Sequence, residues 1–133
     1  KKKMKIKNII NIILLLIVVS CSSKKTEKQI ATKPQLLTID AYEPASVCDC
    51  NDDGIKALND ILDIRQRYEN TEGFNKDANA VQNVSLLKEN WVLIRNKCLR
   101  KFASRLFNPS DCNNPDKIHT IRGQLDLLGI STS

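Results

Sequence analysis

Four cysteines, Cys48, Cys50, Cys98 and Cys112, constrain this chain more than any other feature. They fall in residues 47–133, a segment small enough that one hydrophobic core is marginal and covalent staples are favoured. A bridge between Cys48 and Cys50 would close a very small, strained ring, so each is expected to pair with one of the two distant cysteines. Which takes which stays open. The same cluster, if reduced, would suit a four-thiolate zinc site, although the paired C-x₂-C knuckles of such sites are absent.

Apolar periodicity predicts three helices and no strands. The first is expected from Asp53 to Glu69, with a stripe of Ile55, Leu58, Ile61, Leu62, Ile64 and Tyr68 and with Asp52 or Asp53 as its cap. Asn70 to Lys76, containing Gly73, reads as the turn. In the second, Val81, Val84, Leu87, Trp91, Ile94, Cys98 and Phe102 recur at steps of three and four. Asp77 begins that helix and Lys97, Arg100, Lys101 and Arg105 end it, the order the macrodipole favours. Trp91, in mid-stripe, reads as the core anchor. The third begins at Asn114-Pro115-Asp116 and stops at Gly129, burying Ile118, Ile121, Leu125 and Leu128. If the first two helices form an antiparallel hairpin, the segment ahead of helix one lies beside Cys98, and Cys112 turns back at the same end. The expected fold is all-α, a small three-helix bundle stapled by two disulfides behind a flexible tether.

The N-terminus carries an address. Lys1, Lys2, Lys3, Lys5 and Lys7 form a positive region, Ile9 to Val19 an apolar one, and Ser20 precedes Cys21. This pattern resembles the signal peptide of bacterial lipoproteins. The resemblance implies a signal over 1–20, cleavage before Cys21, and acylation of Cys21 with fatty chains such as palmitate. More than one chain makes such anchoring stable. It further implies a place in the bacterial cell envelope and an oxidising compartment that suits disulfides. Ser22, rather than Asp, after the cysteine points to the outer membrane over the inner in a cell with two. Residues 21–46 then comprise the lipidated cysteine and a flexible tether rich in Ser, Lys, Thr, Gln and Pro, which as a coil spans about 25–30 Å. Within it Leu36-Leu37-Thr38-Ile39 is an apolar island that either docks on the domain or stays extended.

The signal also explains the charge. Five of the 21 basic residues lie in 1–20, leaving 16 against 15 acidic residues, so nearly all of the net charge of +6 belongs to the targeting segment. A nucleic-acid partner loses its support.

One stretch could carry ion chemistry. Asp49, Asn51, Asp53 and Asp60 stand at positions 1, 3, 5 and 12 of a segment with Gly54 at position 6. The stretch resembles the calcium loop of EF-hands and dockerins, which implies those four residues as ligands. It departs from that pattern at Ile55 and Lys56 and in ending on Asp instead of Glu. The competing reading is an Asp-rich turn capping helix one. No other cofactor and no catalytic residue is expected: His119 is the only histidine, and there is no phosphate loop or nucleophile elbow. The expected function is a membrane-anchored helical binding or accessory module in the envelope, an inhibitor among its forms, with a protein partner. A calcium-dependent module is the alternative, and an enzyme is not expected.

Overall fold

A computed structural model describes residues 34–38 and 41–133. The signal peptide, Cys21, residues 22–33 and the Ile39 end of the apolar island lie outside the described residues. Four α-helices follow one another: α1 (Val47–Arg65), α2 (Thr71–Lys76), α3 (Ala78–Phe102) and α4 (Pro115–Leu127), with a 3₁₀ turn at Ala103–Phe107 after α3. Among the described residues there is no strand beyond an isolated bridge between Ser110 and Asn113, and no helix is long and apolar enough to cross a membrane.

Helix α1 begins six residues before the expected Asp53. The sequence Ser46-x-x-Asp49 forms a capping box: Ser46 Oγ accepts the Asp49 N–H at 3.1 Å while Asp49 Oδ2 accepts the N–H groups of Ser46 and Ala45 at 3.0 and 2.9 Å. Two orphan donors are satisfied reciprocally, so the helix starts there, and neither Asp52 nor Asp53 is its cap. The helix also ends at Arg65, not Glu69. Asn70–Lys76 is helical rather than a plain turn, since Asn70 Oδ1 caps the Gly73 N–H at 2.8 Å and delivers Phe74 to the core.

Helices α3 and α4 start where their caps predict. Asp77 Oδ1 accepts from the N–H groups of Asn79 and Ala80, and Asn114 Oδ1 from that of Lys117. At the end of α4, Gly129 takes φ +79°, and Ile130 N–H reaches Leu125 O while Gly129 N–H reaches Asp126 O. This Schellman closure needs the left-handed backbone that glycine adopts cheaply. It also turns Ile130 into the core.

Leu58, Ile61 and Leu125 are fully enclosed, and Trp91 is 4 % exposed. Disulfides Cys50–Cys98 and Cys48–Cys112 join the start of α1 to the end of α3 and to the loop before α4. At the other end Tyr68 donates to Asp77 Oδ2, so α1 and α3 run antiparallel. Residues 34–38 and 41–46, read from sequence as tether, lie against the helices. Buried Asn90 donates to Gln35 O at 2.8 Å and accepts the Leu37 N–H at 2.7 Å. Glu43 pairs with Lys97 and Lys101. The backbone of the island is held while Leu36 and Leu37 stay exposed, because the buried amide of Asn90 needs hydrogen-bond partners.

Candidate functional site

The aspartate-rich stretch is helix throughout, which separates the four oxygen donors that a calcium loop would gather. Along α1, Asp49 and Asp60 stand about 16 Å apart, and Asn51 points roughly 160° away from Asp49. Each donor already has a partner. Asp49 holds the capping box, and its carboxyl sits below the ordinary range because the Ser46 hydroxyl and amide hydrogen-bond its charged form. Asn51 Oδ1 accepts the Asn114 N–H at 2.9 Å, tying α1 to the start of α4. Asp53 accepts the Tyr42 hydroxyl at 3.0 Å, and Asp60 pairs with Lys56 at 2.8 Å. Burial, then the hydrogen bond and charge of Asp53, push the Tyr42 phenol far above its ordinary value. Among the described residues no three His, Cys, Asp or Glu side chains gather as metal ligands.

Gly54 does something other than turn a loop. A Cβ built there would lie 3.1 Å from Trp91 Cζ3 and 3.7 Å from Ile118 Cδ1, so the missing side chain lets the indole of α3 lie against the backbone of α1. Trp91 Nε1 in turn donates to Thr132 O at 3.0 Å, satisfying the buried indole. The core-anchor reading of Trp91 holds in the structure.

The feature that patterning did not reveal is a groove. Helices α3 and α4 both pack on α1 but scarcely touch each other, so the bundle stays open along that side. The opening is a cavity of about 600 Å³, within the range of ligand sites. Trp91, Ile94, Cys98 and Ile118 line its apolar interior, with Leu99 and Phe107 beside them. Phe107 is 66 % exposed and Leu99 38 %, an unusual display for large apolar side chains beside a cavity. Arg95, Arg122 and Asp116 are the charged side chains lining it, and His119 lies among them. Arg95 and His119, far apart in the sequence, are brought together at this groove by the fold. The sequence signal was the narrow apolar stripe of α4, whose flanks carry His119 and Arg122 and cannot seal against α3.

A second, polar hollow of about 490 Å³ is edged by Asn51, Asp60, Asp111, Lys117 and the exposed Cys112. It takes two of the four calcium candidates and neither Asp49 nor Asp53.

Arg65 was also missed. It is 2 % exposed, and its guanidinium donates to Leu128 O, Tyr68 O and Thr71 Oγ1 while lying over the Phe74 ring. It thereby joins the ends of α1 and α4 to α2, a structural role in which backbone dipoles and an aromatic face stand in for a counter-ion. No protein-family model, curated protein or solved structure matches the chain.

Proposed function

We propose that the protein is a lipid-anchored binding module of the bacterial cell envelope, held through Cys21 and engaging a protein partner with the groove between α3 and α4. The observation that carries the reading is the open apolar cavity flanked by Phe107 and Leu99, since exposed aromatic and aliphatic groups beside a preformed hollow are the usual anchors of recognition. The lysine-rich start, apolar run and Ser20-Cys21 support the anchor. The two disulfides support an oxidising compartment. An accessory or inhibitory role suits a module that presents such a binding surface.

Two measurements test the reading together. Cys21→Ala is expected to move the protein from the membrane fraction to the soluble one. A photo-crosslinking residue in place of Phe107 is expected to trap one discrete partner in intact cells, and the same residue in place of the exposed Glu72 none. Unchanged fractionation would refute the anchor, and equal adducts from both positions would refute the groove.

A further inference from the structure

The groove is not uniform. Gly54 lies against both Trp91 and Ile118, which places these two at one level along the bundle. The start of α4 lies toward Cys98, because Asn51 holds Asn114 while the adjacent Cys50 is bonded to Cys98. Leu99 and the 3₁₀ residues Leu106 and Phe107 therefore gather apolar surface at that end, beside Asp116 in the first turn of α4. Arg122, a turn beyond Ile118, lies toward the other end, while Arg95, on the facing helix, stands one turn from Trp91 in the direction of Leu99.

Both arginines line the cavity, one from each facing helix. Arg122 Nε donates to Thr132 Oγ1 at 3.1 Å, which orients the guanidinium, and its terminal nitrogens have no partner among the described residues. Among the described residues Arg95 makes no side-chain hydrogen bond, and neither arginine forms an ion pair. Asp116 is the one acidic side chain lining the cavity. An oriented guanidinium fork matches a carboxylate and loses little freedom on binding it. The stretch from Trp91 to Leu99 is about 12 Å long at 1.5 Å per residue, the length of three or four extended residues of a partner chain.

Resting on the groove reading above, we propose that the occupant is a short extended peptide segment whose apolar side chains enter beside Phe107 and Leu99 and whose Glu or Asp carboxylate is held by Arg122 and Arg95. The groove then selects partner segments by pairing apolar burial with one negative charge at a set distance.

The test uses the disulfide-bonded protein and two capped peptides, acetyl-Leu-Leu-Glu-Leu-amide and its Gln counterpart, followed by ¹H–¹⁵N NMR. The Glu peptide is expected to shift the groove amides and the Trp91 indole resonance and to bind about tenfold more tightly than the Gln peptide, a charged hydrogen bond's worth. In an Arg95→Gln/Arg122→Gln variant that preference should vanish while the fold, read from the remaining amides, is unchanged. Equal binding of the two peptides by the parent protein would overturn the carboxylate inference and leave the groove reading standing. Loss of both peptides on Phe107→Asp, with the Glu preference intact in the parent, supports both. No shift by the Glu peptide at millimolar concentration, or groove shifts produced by laurate or phosphatidylglycerol vesicles instead, overturns the proposal. An empty crosslink from Phe107 as well would overturn the groove reading with it.

Discussion

Removing either disulfide should cost nearly the same chain entropy, although the loops differ. Alone, Cys48–Cys112 and Cys50–Cys98 close loops with separations of 64 and 48 residues, worth about 4 kcal/mol each in the loop-closure account. The bridges are nested at one end of the molecule, however, so once one has formed the other closes only a ring of about 16 residues, worth about 3 kcal/mol. Cys48→Ala/Cys112→Ala is thus expected to lose about 3 kcal/mol, seen as a drop in Tm of roughly 12–24 °C for a domain of this size. Cys50→Ala/Cys98→Ala should lose about 1–2 kcal/mol more, because Cys50 and Cys98 are 5 % and 2 % exposed and their removal leaves a void near Trp91. The variant lacking all four cysteines should lose at least about 7 kcal/mol from chain entropy, more than twice the first step, because the second removal frees a full-length loop. Guanidinium titration under non-reducing conditions, followed by far-ultraviolet circular dichroism, measures all three. Two independent losses of about 4 kcal/mol that simply add would refute the nested-ring reasoning, as would a larger loss at the exposed bridge than at the buried one.

Gly54→Ala gains helix propensity of about 1 kcal/mol, yet its Cβ meets a rigid indole at 3.1 Å. A net destabilisation on the order of 1–2 kcal/mol is expected in urea unfolding, and a stabilised variant would show that α1 and α3 are not in close approach there. Ala103 ends α3 at φ 48° and ψ −126°, a backbone that glycine tolerates and alanine does not; Ala103→Gly should raise stability by about 1 kcal/mol, and a lower Tm would contradict the strained turn. The Asp77 carboxyl is held below its ordinary range by the Tyr68 hydroxyl first and by the Ala80 N–H next. Its contribution is therefore complete above about pH 4 and is lost as the pH falls through the lowered value. Asp77→Asn, which can still cap α3, should be less stable than the parent at pH 7 and converge on it as the pH falls through the lowered value. A constant gap across that range of thermal melts would refute this assignment.

What the sequence determined on its own was whatever depends on near neighbours and on elimination. The cap at Asn114-Pro115, the stop at Gly129, the acidic start at Asp77 and the long stripe from Val81 to Phe102 are local signals, and the structure has α3 and α4 where they predict. The pairing of Cys48 and Cys50 with distant partners followed from ring size, and only the fold chose Cys112 for the first and Cys98 for the second. The Asp-rich stretch shows where local reading divides: the same residues suit a calcium loop, an Asp cap or a helix interior. The capping box that Ser46, outside the motif, makes with Asp49, together with the gain from seating Gly54 against Trp91, selected the helix. The groove lay beyond sequence reading for a different reason. Periodicity reports which face of a helix is apolar, not whether two such faces meet, and here α3 and α4 each satisfy α1 without closing on one another. Arg95, His119 and Arg122 look like solvated polar groups along their own helices, and they share a site because tertiary packing left a gap between the helices that carry them.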